Sequence, residues 1–151
     1  MTRILLIPGL ICDGHVWQGC LAALAGHDVA VADLGVATDI TAMAEQLLAT
    51  HAGDLIVVGH SMGGRVAMEM ARIAPTRLRG LALLNTGMAP LKAGELPKRE
   101  AMIAFAHEQG MAALADHWLP PGHSPNGYIR GSRFRKLFAS TGKHPIHDLG
   151  V

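Results

Sequence analysis

Asp54-Leu-Ile-Val-Val-Gly-His-Ser-Met-Gly-Gly-Arg-Val-Ala-Met68 is the stretch that decides the fold of this chain. Residues 55–58 form a short apolar run that is typical of a buried strand. Apolar side chains then recur at helical spacing at Met62, Val66, Met70 and Ile73. Glycines two residues on either side of Ser61 permit a tight turn, because glycine has no Cβ atom to block it. The stretch therefore predicts a strand, a turn with Ser61 at its apex, and a helix.

Ser61 is the candidate nucleophile of this turn. At the apex its hydroxyl stands above the edge of the sheet. The helix that begins at Met62 points free N–H groups and its positive dipole end toward a developing oxyanion. The alternative is an ordinary strand-to-helix turn whose glycines serve only to allow close packing.

The segments on both sides of this stretch alternate between strand and helix patterns. The predicted strands are residues 3–7, 28–34 and 78–84. One predicted helix starts after the N-cap Asp13 and ends near Gly26, and a second starts after the N-cap Asp39 and ends at residues 51–53. Residues 28–34 run apolar more than they alternate, so we expect this strand to be buried on both faces. Strands separated by helices pair in parallel through right-handed crossovers. The predicted fold class is α/β, a parallel sheet with helices on both faces.

A different organisation follows the fourth strand. Residues 92–98 resemble a polar connector that contains Gly94 and Pro97. Two apolar stripes at helical spacing come next, separated at Gly110 and ended by residues 120–122. This part of the chain is predicted to be a pair of helices.

The turn at Ser61, within this order of elements, resembles the nucleophile elbow of the α/β-hydrolase family, which includes small carboxylesterases and lactonases. The resemblance covers residues 2–122 and implies a partial α/β-hydrolase fold with a helical lid. It implies that Ser61 attacks an ester-like bond to form an acyl-enzyme, while the amides of Leu10 and Met62 form the oxyanion hole. Family members often have His-Gly where this chain has Pro8-Gly9, a difference that does not touch the donor at Leu10.

The sequence is expected to divide into an α/β core at residues 1–90, a lid segment at residues 91–122 and an irregular basic tail at residues 123–151. In the family, inserted helices at this point form a lid over the active site. Four side chains of the lid segment are candidates to line an apolar substrate pocket: Met102, Phe105, Trp118 and Leu119. Ordinary core packing remains the alternative for the same four residues.

The base and the acid that Ser61 needs are not evident in this chain. In the family they follow the nucleophile on loops after later strands, and the sequence ends before such strands fit. His147 as base and Asp148 as acid come after Ser61, but nothing around them predicts the loop that would fix their geometry. Residues 123–151 contain one alanine against 22 in the preceding 122 residues. We interpret them as a terminus of foreign reading frame or of a truncated chain; a basic tail that binds an acidic partner is the alternative.

The composition bears on partners and location. Thirteen basic and 12 acidic residues create no global field for nucleic acid or an anionic membrane, which favours a small uncharged ester-like substrate. Pro8-Gly9 interrupts the apolar start too early for a signal peptide or a membrane span, so we expect a cytoplasmic protein. Cys12 and Cys20 are expected to stay reduced. No cofactor is implied, and no metal site is expected, because the pair His144-Pro-Ile-His147 lacks further ligands.

Two functions remain open from the sequence: a serine hydrolase, and a catalytically silent truncated chain or noncatalytic domain that binds a small molecule. Without a working base, we expect only trace hydrolysis of activated esters, which Ser61→Ala changes little. A complete relay through His147 and Asp148 would instead give robust turnover that Ser61→Ala and His147→Ala both abolish. The strand at residues 81–84 is predicted to lack a neighbour on one side and to promote self-association.

Overall fold

The computed structural model describes residues 2–10, 12–35, 37–90 and 92–118. Within these residues the centre is a parallel sheet of four strands in the order β2-β1-β3-β4. The strands are β1 Arg3–Ile7, β2 Val29–Val31, β3 Leu55–His60 and β4 Leu78–Leu84. A helical segment lies between each strand and the next, as parallel pairing requires. The predicted α/β class is confirmed.

The helices begin where the sequence places their caps. The longer helices are α2 Ile40–Thr50, α3 Met62–Ile73 and α4 Glu95–Trp118, and the short α1 Gln18–Leu21 lies between 3-10 turns at Gly14–Trp17 and Ala22–Leu24. Asp39 accepts a hydrogen bond from the Ala42 amide at 2.8 Å, and Asp13 accepts one from the His15 amide at the same distance. Both predicted N-caps are confirmed because each carboxylate satisfies an amide that has no intrahelical acceptor.

One face of the sheet is covered by α2 and α3. Alternate residues of β1 and β3 point into this layer, and the helices meet them with side chains spaced by one turn. The core there is formed by Leu5, Ile7, Ala32, Met43, Ala44, Leu47, Leu48, Leu55, Val57, Val66, Ala67 and Met70. On the opposite face, the buried ring of Trp17 contacts His60 edge-on. Helical segments therefore cover both faces of the sheet, as predicted.

Two predictions from hydrophobic pattern were wrong. The second strand covers only Val29–Val31, and Val31 is exposed, because β2 lies at the margin of the described sheet and pairs only with β1. The predicted continuous helix after Asp13 is a single turn of α-helix between two 3-10 turns. Glycines at positions 14 and 19 weaken it, since glycine loses more backbone entropy in a helix than any other residue.

The chain divides into two compact units at Ala89 and Pro90, and the second unit contains α4. Gly110 interrupts α4 with φ 84° and ψ 165°, which confirms the predicted break between two helical stretches. The connector is shorter than predicted because α4 already begins at Glu95. Pro97 lies in its first turn, where a missing N–H removes no intrahelical bond. No helix in the described part of the chain is long and apolar enough to span a bilayer.

Candidate active site

Ser61 lies between β3 and α3 in a backbone conformation that L-residues rarely adopt, with φ 54° and ψ −119°. The predicted strand, turn and helix are therefore confirmed, with the serine at the turn. A conformation of this kind costs of the order of 1–3 kcal/mol and persists only where the surroundings hold it.

The glycines around Ser61 are required by close backbone contacts. A Cβ atom on Gly59 would lie 2.3 Å from the Gly63 carbonyl oxygen, and one on Gly63 would lie 2.3 Å from the Ile7 carbonyl oxygen. Both contacts are to backbone, which cannot rotate away as a side chain can. The first turn of α3 thus packs directly on the ends of β1 and β3.

Hydrogen bonds from the end of β4 hold the backbone of Ser61. Its amide donates to the Leu84 carbonyl at 2.9 Å, and its carbonyl accepts from the Thr86 hydroxyl at 2.7 Å and from the Gly64 amide at 3.0 Å. Sequence reasoning missed Thr86, because its contact with Ser61 spans 25 residues of chain and has no local pattern. The available signal was Gly64: the turn itself does not need a second glycine after Gly63, so this glycine indicates a close contact with another part of the chain.

The Ser61 hydroxyl is free for chemistry. A serine before the first turn of a helix usually caps it, but Ser61 makes no such side-chain bond. Among the described residues, no group forms a hydrogen bond with Ser61 Oγ, and the residue is partly exposed. Met62 is the first residue of α3, so its amide has no acceptor within the helix.

The loop after β1 lies beside Ser61. A Cβ atom on Gly9 would be 3.1 Å from the Ser61 Cβ, and the Cys12 amide closes the loop by donating to the Gly9 carbonyl at 3.1 Å. Leu10 lies within this loop and is partly buried. The geometry brings the segment that contains Leu10 next to Ser61, while the role of the Leu10 and Met62 amides as an oxyanion hole stays a prediction.

Two side chains with ionisable groups belong to the segments around Ser61: His60 precedes it, and Cys12 closes the loop after β1. Among the described residues the buried Nδ1 atom of His60 has no hydrogen-bond partner, and its ring lies against Trp17 at a centroid distance of 6.5 Å. Burial raises the pKa of the Cys12 thiol, and the Asp13 charge adds to the effect. Cys12 and Cys20 are free thiols, as predicted.

The other predicted site residues belong to the second unit or lie outside the described residues. Met102 and Phe105 are partly buried on α4, in the second unit, where the Phe105 ring lies 5.4 Å from that of His117. The Trp118 side chain and all of Leu119, His147 and Asp148 lie outside the described residues, as does the predicted tail. Within the described ranges, no group of three His, Cys, Asp or Glu side chains is arranged to hold a metal ion.

Comparison with known proteins gives a consistent result. A model of the alpha/beta hydrolase family matches residues 4–146. The lipase LipV of Mycobacterium tuberculosis is 30% identical over 100 residues, which cover 58% of this chain and 38% of the lipase. A thermophilic esterase from Thermogutta terrifontis has a TM-score of 0.77 at 24% identity, over 97% of this chain and 61% of the esterase. A carboxylesterase structure from Nitrososphaera gargenis has a TM-score of 0.70 at 19% identity, over 98% of this chain and 60% of the carboxylesterase. The chain thus spans less than two thirds of the length of each.

Proposed function

The chain belongs to the alpha/beta hydrolase family, and we propose that it is a serine hydrolase in which Ser61 attacks an ester-like bond. The observation that carries the proposal is the Ser61 hydroxyl, which has no hydrogen-bond partner among the described residues and lies at a strained turn between β3 and α3. A serine held in such a conformation without a capping bond is arranged for something other than helix stability. The lipase and esterase relatives support a small carboxylic ester as the substrate class.

The proposed reaction is acyl transfer through an acyl-enzyme. Ser61 Oγ attacks the carbonyl carbon, and its proton passes to a base and then to the leaving alcohol. The negative charge that develops on the carbonyl oxygen is stabilised by the amides of Leu10 and Met62. Water then attacks the acyl group and releases the acid, which regenerates Ser61. His147 as base and Asp148 as acid are the candidates that follow Ser61 in the sequence, and the turnover experiment below tests them.

The partners follow from the same chemistry. Met102, Phe105, Trp118 and Leu119 are the residues proposed to contact the acyl or alcohol group. The two free thiols are typical of a reducing compartment and support a cytoplasmic location. The outer edge of β4, with the exposed side chains Leu81, Leu83 and Leu84, supports association with a second copy of the chain.

Covalent labelling tests the nucleophile. A fluorophosphonate forms a bond from phosphorus to the serine oxygen and releases fluoride, so intact mass and peptide mapping identify the modified serine. We expect modification of Ser61 in the parent chain and none in Ser61→Ala. Thr76→Val, a substitution at an exposed turn, serves as a control that leaves labelling unchanged. Modification at another serine, or none, would remove the proposal.

Turnover of an activated ester tests the base. Robust hydrolysis that Ser61→Ala and His147→Ala reduce alike, by up to about 10⁶-fold, is expected of a complete relay. Trace hydrolysis that neither substitution changes is expected of a chain without a working base, since oxyanion donors alone retain on the order of 10³–10⁴ over the uncatalysed rate. Hydrolysis no faster than the uncatalysed rate supports the catalytically silent alternative.

A further inference from the structure

We propose that Thr86 is a positioning residue that fixes the peptide group between Ser61 and Met62, and thereby the direction of the Met62 amide. The inference rests on the proposed role of Ser61 as nucleophile. Thr86 follows β4 and lies 25 residues from Ser61 along the chain, yet its hydroxyl donates to the Ser61 carbonyl at 2.7 Å. The bond is partly buried, so water competes with it less than at an open surface.

The Ser61 carbonyl oxygen has both of its acceptor positions occupied. The Thr86 hydroxyl takes one, and the Gly64 amide takes the other at 3.0 Å. Two donors that approach from different elements restrict the rotation of this carbonyl more than either does alone. The bond from Gly64 is local to the first turn of α3, whereas the bond from Thr86 ties that turn to the sheet.

The carbonyl of Ser61 and the N–H of Met62 belong to one planar peptide unit. In a trans peptide these two bonds point in opposite directions, so a restraint on the oxygen also sets the direction of the N–H. The structure has no cis peptide bond among its described residues. Holding the Ser61 oxygen toward Thr86 therefore points the Met62 amide in the opposite direction, away from Thr86.

Packing restrains Thr86 itself. A Cβ atom on Gly64 would lie 2.6 Å from the Thr86 Cβ and 2.7 Å from its methyl carbon. The preceding residue, Asn85, has φ 49°, a left-handed conformation that asparagine tolerates better than most residues. Leu84, one residue earlier, accepts the Ser61 amide at 2.9 Å. The end of β4 thus holds Ser61 at its amide through Leu84 and at its carbonyl through Thr86.

This arrangement predicts an effect on the chemical step rather than on binding. The oxyanion forms only as the nucleophile attacks, so a misdirected Met62 amide weakens the transition state more than the ground state. Saturation kinetics of fluorophosphonate labelling separate the two effects, because the maximal labelling rate reports the chemical step and the half-saturating concentration reports binding. In Thr86→Val, which replaces the hydroxyl by a methyl of similar size, we expect the maximal labelling rate to fall about tenfold with an unchanged half-saturating concentration.

Matched variants separate the hydroxyl from general packing. Thr86→Ser keeps the donor and loses the methyl, and Thr86→Ala loses both, so the ratio of these two rates reports the hydroxyl even if Thr86→Val fails to fold. We expect Thr86→Ser to keep most of the parental labelling rate and Thr86→Ala to label as slowly as Thr86→Val. Equal rates for Ser and Ala, or a parental rate in Val, would overturn the proposal. Thr76→Val, at an exposed position, should label at the parental rate.

Hydrogen exchange gives a readout that does not depend on catalysis. The amides of residues 61–64 should exchange faster in Thr86→Ala than in Thr86→Ser, while the amides of α2 remain unchanged. If the parent chain is not labelled at Ser61, the nucleophile assignment fails, and the exchange data alone then decide whether Thr86 restrains this turn. Identical exchange in the Ser and Ala variants would show that it does not.

Discussion

The neighbouring strands β3 and β4 are both apolar and both parallel, yet only β3 is buried. Val57 and Leu81 are register partners and project from the same face of the sheet, but Val57 is 0% exposed and Leu81 is 43% exposed. Leu83 and Leu84, at the end of β4, are 40% and 44% exposed. The difference is one of position: β3 has a strand on each side, whereas β4 pairs only with β3 among the described residues.

The two strands also contribute differently to the candidate site. β3 carries Ser61 at its end, and alternate residues along it are buried. β4 has only half-buried and exposed residues, but the residues at and after its end hold the Ser61 backbone through Leu84 and Thr86. Burial of a strand and its importance for the site are therefore separate properties here. The predictions below test each side of this difference.

The largest effect is expected where β3 passes into α3. In Gly63→Ala the new methyl would meet the Ile7 and Pro8 carbonyl oxygens at 2.3 and 2.4 Å. Because neither backbone can move without separating α3 from β1, we expect a loss of at least about 3 kcal/mol in unfolding free energy, or no folded protein. The matched control is Gly87→Ala, where a Cβ atom would meet nothing within 4 Å. Urea unfolding followed by circular dichroism measures both, and equal stability of the two variants would contradict the contact.

The next effect compares the register partners directly. Val57→Ala removes two buried methyl groups and leaves a cavity, so we expect a loss of about 2–3 kcal/mol. Leu81→Ala removes a larger group from a partly exposed site and should cost less than about 1 kcal/mol. The two unfolding curves should differ in midpoint and share one slope. A larger cost at Leu81 would mean that β4 is covered in solution.

A third prediction concerns the edge of β4. We expect the parent chain to associate with increasing concentration, and Leu83→Lys to shift it toward monomer, because a charged side chain opposes edge-to-edge pairing. Val31→Lys is the matched substitution at β2, the opposite edge of the described sheet, where the side chain is 37% exposed. Sedimentation velocity over a concentration series measures the shift. A parent chain that is monomeric at all concentrations, or an equal response at Val31, would contradict the prediction.

The smallest effect concerns the helices that cover β3. Hydrogen bonds from Arg72 and from Thr41 on α2 lower the pKa of Glu69 on α3 from 4.5 to about 2. A carboxylate with a depressed folded-state pKa stabilises the protein fully above its unfolded pKa. The contribution is lost as pH falls from 4.5 through 2. The stability difference between the parent and Glu69→Gln should therefore shrink over this interval, and a constant difference would argue against these bonds in solution.

Local physical chemistry explains what was predictable. The strand, turn and helix around Ser61 follow from hydrophobic period and glycine placement, and Asp13 and Asp39 cap helices where a carboxylate precedes free amides. Gly110 interrupts α4 because it adopts a positive φ that most residues avoid. Each of these signals acts over a few residues, so the sequence by itself determined them.

Only the tertiary structure decided the remaining features, because each depends on residues far apart in the chain. The apolar run at residues 28–34 predicted a buried strand, but burial requires a neighbour on each side, and among the described residues β2 pairs only with β1. No local sequence pattern links Thr86 to Gly64, yet the fold brings the two residues into contact and places the Thr86 hydroxyl on the Ser61 carbonyl. Hydrophobic period specifies which side chains prefer to leave water, whereas the order of strands in the sheet decides which of them can.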